Sequence, residues 1–272
     1  NVDLIIGGHS HTRIQFPEVV NKVLIVQAGS YTQNLGRLDL VVAGDTVQSY
    51  DGKLISTFVE GIDPQPELQA FADSFATIID DAYGMVIGQL ATDWRSVYMG
   101  ESNIGNWLTD AMRHKTDADV AFVNSGGIRK NEIPAGPVTK KDIAEMLPFN
   151  NYVETFEATG EELMTILTEN ARAQGLELHG ILQVSGVAYT FKKKGDDVAL
   201  VKVRVGGKKI KKDKIYKIAS IDYVNANHSR YYMIEPRNLN NTGILFPQLI
   251  IETIENAKSI NAKVEGRITQ AE

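Results

Sequence analysis

The stretch 101–129, ESNIGNWLTDAMRHKTDADVAFVNSGGIR, holds a helix, a strand and a glycine loop in that order. Ile104, Trp107, Leu108, Ala111 and Met112 fall at i, i+3, i+4, i+7 and i+8, which lines them along one helical face. The apolar run of DVAFV, residues 119–123, then reads as a strand, and Asn124 to Arg129 as the loop that ends it. The fold class that follows is α/β (mixed α+β).

Working outward from that stretch extends the pattern in both directions. Downstream, Thr139 with Asp142 forms a capping-box signature for a short helix to Leu147. Val153 to Ala158 alternates as a strand, and Gly160 opens an amphipathic helix with Leu163, Ile166 and Leu167 inward. Residues 182–221 are β-rich, with turns at Lys194-Gly195-Asp196-Asp197 and at Gly206-Gly207. A helix over 246–259 and a final strand over 263–267 close the chain, while Asp222 to Met233 reads as a loop of aromatic and polar groups.

Upstream, Met85 to Leu90 is strand-like, and residues 61–84, GIDPQPELQAFADSFATIIDDAYG, have prolines in front and helical spacing through Leu68, Phe71 and Phe75. This segment is expected to be a linker helix over 63–84, dividing an N-terminal region, residues 1–62, from a C-terminal region, residues 85–272, with a plain surface helix as the alternative. Val2 to Ile6 is expected as a buried strand and Val23 to Gln27 as a second. Leu38–Ala43 and Val47–Tyr50 pair as a hairpin turning at Gly44-Asp45.

Composition narrows the classes. The 272 residues are 43% hydrophobic and 23% charged, ordinary values for a globular protein. A formal charge of -6 argues against a nucleic-acid binder, which needs a clustered cationic surface. The one basic run, Lys208-Lys209 through Lys214, is read as a solvated turn. Zero cysteines exclude disulfides and thiolate metal sites. No apolar stretch reaches the ~18–20 residues of a membrane span. A chain that opens NVDLIIGG without Met is expected to be an internal piece of a longer product.

Three segments carry candidate chemistry. In GGHSHT, residues 7–12, two imidazoles two residues apart can each face a divalent cation; two exposed histidines capping a strand is the alternative. In NSGGIR, Asn124, Gly126, Gly127 and Arg129 combine close backbone N–H approach with a guanidinium suited to phosphate, though glycines at a strand end are common without any ligand. In MLPFNN, residues 146–151, a ring followed by amides could stack on and read a nucleobase, or Phe149 could simply be core. His114 and His179 lack ligand spacing, and no P-loop, G-x-S-x-G or H-E-x-x-H is present.

Taken in order, these segments resemble the 5′-nucleotidase family of dinuclear metallophosphoesterases over essentially the whole chain. GGHSHT is similar to the last metal motif of the family's calcineurin-like domain, and VQAGSYTQNLGRLDL to the strands that close it. ESNIGNWLTDAMR, VNSGGIR and MLPFNN resemble the helix, anion loop and base-stacking segment of the C-terminal domain. The resemblance implies the end of a metallophosphoesterase β-sandwich domain over 1–62, a linker helix over 63–84, and a 5′-nucleotidase C-terminal substrate domain over 85–272.

By the same resemblance, His9 and His11 would bind two divalent metal ions of the Zn, Mn or Co class, with the other ligands and the catalytic groups upstream of Asn1. Asn124 and Arg129 would meet ribose and phosphate, Phe149 would stack on the base, and Asn151 would bond its edge. Three positions depart from the pattern. Tyr98 stands for an arginine, Tyr223 for the second stacking phenylalanine, and Ser229 for a ribose-binding aspartate. The implied activity is metal-dependent hydrolysis of nucleotides to nucleoside and phosphate by a periplasmic, secreted or cell-surface protein. The alternatives are a nucleotide-binding module without catalysis, or a cyclic-nucleotide or nucleotide-sugar phosphoesterase.

Overall fold

A computed structural model describes residues 2–58, 60–61, 63–174, 180–195 and 197–271. The expectation for His179 and the Asp196 position of its turn lie outside these. The contact pattern divides the chain into two units, Asn1–Ala72 and Asp73–Glu272.

In the first unit, β1 (Leu4–Ile6), β2 (Glu18–Val20) and β3 (Val23–Val26) form a sheet of order β1-β3-β2, with β1 parallel and β2 antiparallel to β3. β4 (Asn34–Ala43) and β5 (Thr46–Ser56) form a long hairpin. Its turn is at Gly44-Asp45 as expected, with φ of 58° and 56°, the paired positive values that match the twist of the flanking strands. The expected burial of the first strand does not hold: Ile5 and Ile6 are exposed, and among the described residues β1 has β3 as its one ladder partner. Leu24 is the one buried apolar side chain among the described residues of this unit.

α1 (Pro66–Tyr83) starts on a proline, whose fixed φ suits a first turn, and contains no buried residue. Leu68, Phe71 and Phe75 are all exposed. The unit boundary falls inside this helix.

The second unit continues with β6 (Val86–Leu90), β7 (Trp94–Arg95), α2 (Asn103–Thr116), β8 (Val120–Asn124), β9 (Glu132–Ile133), β10 (Gly136–Thr139) and α3 (Lys140–Met146). Then follow β11 (Tyr152–Thr159), α4 (Gly160–Ala173), β12 (Leu182–Ser185), β13 (Val187–Lys194), β14 (Asp197–Val205), β15 (Lys208–Lys209) and β16 (Ile215–Ile221). α5 (Asp222–Ala226), α6 (His228–Tyr231), β17 (Arg237–Leu245), α7 (Phe246–Ala257), β18 (Ser259–Ile260) and β19 (Ile268–Gln270) complete it.

A five-stranded sheet of order β12-β8-β16-β11-β17 is its centre, with β8 and β16 parallel and every other neighbour antiparallel. α2 begins where the Ser102 side chain accepts the Gly105 N–H, and ends at Asp117 in the left-handed region. Its Ile104, Leu108 and Met112 are fully buried beside Phe122 and Phe156. Both α3 and α4 start in complete capping boxes, Thr139 with Asp142 and Thr159 with Glu162.

Two further expectations are corrected. The last strand forms at Ile268–Gln270, parallel to β13, not at 263–267. The Glu101 carboxylate accepts the N–H groups of Glu265, Gly266 and Ile268 at 2.8, 3.1 and 3.1 Å, so a side chain takes the bonds that a strand partner would have made. Residues 222–233 are not a loop but α5 and α6, held because the buried Asn225 amide donates to Glu154 at 3.0 Å and accepts from the Tyr232 hydroxyl at 3.0 Å.

Candidate functional site

Register brings the candidate substrate residues to one edge of the central sheet. β8 and β16 run in parallel with Val120 opposite Ile218, so both end together, at Asn124 and at Asp222. β11 is antiparallel to β16 with Val153 opposite Ile221, which adds its start, Asn151 and Tyr152, to the same edge. β12 sets Leu182 opposite Asn124 and adds Ile181. The carboxyl ends of parallel strands are where open α/β sheets bind ligands, because loops diverge there and leave a crevice.

The glycine loop is a single 3-10 turn, Ser125–Gly127. The Ser125 hydroxyl donates to the Tyr98 carbonyl at 2.6 Å and accepts the Ile181 N–H at 2.9 Å, so one side chain fastens the loop on two sides. Gly180 makes this approach possible: its φ is +71°, and a Cβ there would lie 2.2 Å from Ser125 Oγ. At Gly127 a Cβ would stand 3.0 Å from Asn124 Oδ1.

Asn124 is 4% exposed, yet its Oδ1 has no hydrogen-bond partner among the described residues. An amide oxygen accepts only, so the group that would satisfy it is an O–H or N–H. Arg129 is anchored by its backbone, whose N–H donates to the Met146 carbonyl at 2.8 Å, while its exposed guanidinium touches only the Gly126 carbonyl at 3.3 Å. Among the described residues no carboxylate pairs with it. Lys130, one position on, is by contrast consumed by Asp142 at 2.8 Å and Glu145 at 2.6 Å. Burial opposes the Lys130 charge, but those two partners prevail and hold its ammonium above the usual lysine range.

Phe149 is 49% exposed, which overturns the core alternative for it. Asn151 is half-buried, and its carbonyl accepts the Phe246 N–H at 2.9 Å. Tyr223 is 42% exposed and meets Tyr231 edge-on, ring centroids 6.3 Å apart. Burial first, and Tyr223 second, push the Tyr231 hydroxyl far above the usual phenol range. Tyr98 is exposed beside the loop, with Cε2 3.3 Å from the place of a Cβ on Gly180. Ser229 lies on α6 and is exposed.

Asp222 is the member of this edge that sequence reasoning missed. Its carboxylate accepts the N–H of Tyr152 at 3.1 Å and of Tyr223 at 2.7 Å, joining two segments seventy positions apart. An acid at the first residue of a helix was the available signal.

His9 and His11, in the first unit, are exposed and have φ of 63° and 59°, in the left-handed region. The Gln27 amide lies 2.9 Å from the Ser10 hydroxyl between them, and the His11 ring meets Tyr31 edge-on at 5.4 Å. Two imidazoles suit a borderline divalent ion, but a metal needs three or four donors. Among the described residues no group of three or more candidate ligands lies together.

The family profile described as 5′-nucleotidase, C-terminal domain, matches residues 86–236. The chain is 29% identical over 99% of its length to the trifunctional nucleotide phosphoesterase protein YfkN of Bacillus subtilis, and 27% identical over 100% to the endonuclease YhcR of the same organism. It spans 20% and 22% of those two relatives. The crystal structure of a 5′-nucleotidase precursor from Thermus thermophilus superposes with a TM-score of 0.71 at 26% identity, covering 99% of this chain and 59% of that one. Among the described residues no helix is long and apolar enough to cross a membrane.

Proposed function

The chain belongs to the 5′-nucleotidase family through its C-terminal domain, and on that premise we propose that it is the nucleotide-recognising portion of a metal-dependent phosphoesterase. The carrying observation is Asn124: a buried amide oxygen at a strand end, without a partner among the described residues, on the same short loop as an arginine that no described carboxylate pairs with. A ribose hydroxyl can donate to that oxygen, and a phosphate can take Arg129 bidentately. The exposed rings of Phe149 and Tyr223 offer faces to a base, and Asn151 an amide to its edge. Gly126 and Gly127 keep the loop backbone open to the same anion. Ser229 offers one hydroxyl where a carboxylate could accept two ribose hydroxyls, which favours substrates held mainly through base and phosphate.

In this reading residues 1–62 end a metallophosphoesterase domain, 63–84 link it onward, and 85–272 recognise substrate. His9 and His11 would be two ligands of a two-ion site in a protein longer than this chain, as its relatives are. Two divalent ions held there would supply positive charge to a phosphoryl group. A second reading, binding without hydrolysis by this chain alone, is favoured by there being, among the described residues, no group of three or more candidate metal ligands.

Calorimetry with AMP and adenosine tests the recognition. AMP is expected to bind about tenfold tighter than adenosine, and Arg129→Ala to erase the difference. Absence of saturable heat with any nucleotide defeats the proposal. Phosphate release by the full-length protein with Mn²⁺ separates the enzyme from the binding module.

A further inference from the structure

Residues 202–217 hold eight Lys or Arg and a single acid, Asp213, in a chain whose formal charge is -6. The solvated-turn reading of 208–214 holds for exposure and for the turn at Lys212-Asp213, and is corrected only at its first two residues. Lys208 and Lys209 form β15, with Lys208 opposite Val205 of β14, and the following residues curl towards the end of α2. Arg113, Lys208, Lys209, Lys211 and Lys214 line one hollow of about 510 Å³ together with Asp119.

Most of the positive charge in this hollow has no carboxylate partner among the described residues, Lys214 being the exception. Asp119 gives one oxygen to Lys214 at 3.1 Å and the other to the Lys217 N–H at 3.0 Å. Lys214 also lies 4.4 Å above the Tyr216 ring. Among the described residues no carboxylate pairs with Arg113, Lys208, Lys209 or Lys211. Arg113 is fixed in place: its Nε donates to the buried Ser185 hydroxyl at 2.8 Å. Gly186 leaves room for its stem, since a Cβ there would stand 2.8 Å from Arg113 Cδ. The helix dipole favours a cation in the last turn of α2, and lysines protect sheet edges, but neither requires cations from a helix, a hairpin and a turn to meet around one concavity. Like charges so placed repel until an anion joins them.

We propose that this hollow binds an oligophosphate, a compact anion of two or more linked phosphoryl groups. Arg113, whose Nε meets Ser185 and whose Nη2 lies 2.8 Å from the His114 Nε2, offers one phosphoryl group its Nη1, and the lysines, as point charges, take the rest. Its volume lies within the ~300–1,000 Å³ of small-molecule sites, and a concavity suits a short anion better than the continuous track a nucleic-acid backbone needs. It is separate from the nucleotide edge. Asp119 precedes β8 and Lys214 precedes β16, whose opposite ends carry Asn124 and Asp222. Seven residues of β16 place the two ends about 20 Å apart at ~3.3 Å per residue.

Titration calorimetry at low salt with tripolyphosphate and with pyrophosphate tests the site. Saturable binding of one anion per chain is expected, weakened about tenfold or more by Lys208→Glu with Lys211→Glu and unchanged by Arg129→Ala. Thermal melting confirms that the charge-reversed chain is folded, and Lys208→Gln with Lys211→Gln replaces it if it is not. No saturable heat, heat that survives both lysine pairs, or heat lost with Arg129→Ala overturns the proposal. So does a single-stranded oligonucleotide that binds tighter than tripolyphosphate through the same lysines, which would assign the surface to a nucleic-acid backbone.

Discussion

The carboxylate of Asp222 accepts the backbone N–H of Tyr152 at 3.1 Å, and so ties the start of β11 to the helix that carries Tyr223. Its other oxygen caps Tyr223 itself at 2.7 Å. Asp222→Ala removes both bonds and is expected to cost about 1–2 kcal/mol of stability. It should also weaken nucleotide binding more than Asp213→Ala, an exposed control. Urea unfolding and calorimetry on the two variants check this.

Gly180 bears on the same edge through space alone. Gly180→Ala puts a methyl group against Ser125 Oγ on a backbone with φ of +71°. A loss of about 1–3 kcal/mol is expected from strain and displacement of the loop. Nucleotide affinity should fall with it, and Ser125→Gly in the same chain should recover some of the loss, measured as thermal midpoint and Kd.

Glu101 receives four donors: the Asn106 amide at 2.7 Å and three backbone N–H groups of residues 265–268. Glu101→Ala strands those N–H groups and is expected to cost about 2–4 kcal/mol. Hydrogen exchange should show lost protection at Ile268 to Gln270, while β8 keeps its own. Unchanged exchange there would sink the assignment of Glu101 as the fastener of the C-terminal segment.

The Lys130, Asp142 and Thr139 cluster makes stability depend on pH. Burial works against the Asp142 carboxylate, but Lys130 and Thr139 outweigh it and hold its pKa below the usual carboxylate range. A depressed acid contributes fully above its unfolded pKa of about 3.9 and loses that contribution as pH falls through its lower folded value. Lys130, raised, contributes below its unfolded pKa of about 10.4 and loses it as pH rises through the folded one. Asp142→Asn should therefore lower the urea midpoint at neutral pH, with the gap to the parent chain closing in acid.

The elements of the fold legible in the sequence are those that local chemistry decides. The α2 face, the Thr139–Asp142 box and the Gly44-Asp45 turn each depend on residues within a few positions. β17 was not legible because Asn238, Asn240 and Asn241 carry no strand pattern, and they pair only because β11 offers an open edge. α5 and α6 looked like a loop because their anchors, Asn225 and Tyr232, are polar groups whose partner Glu154 lies seventy-one positions away from Asn225. The same split runs through the candidate site. Arg129 and Phe149 stand out within short motifs, whereas Asp222, Ser125 and Gly180 matter only once the sheet register is known.

That register also sets a schedule. Val120 and Ile218 are partners across ninety-eight positions, so β8 waits on the ribosome for its parallel neighbour long after α2 can form. β11 in turn lacks its outer partner until Leu245 has emerged. A nascent chain stopped between Tyr223 and Arg237 already has β12, β8, β16 and β11 and lacks only the outermost strand, whereas one stopped before Ile215 lacks the Asp222 and Tyr223 side of the edge. The recognition surface is thus completed late, with the arrival of β16, and products truncated before Ile215 should lose most of its affinity.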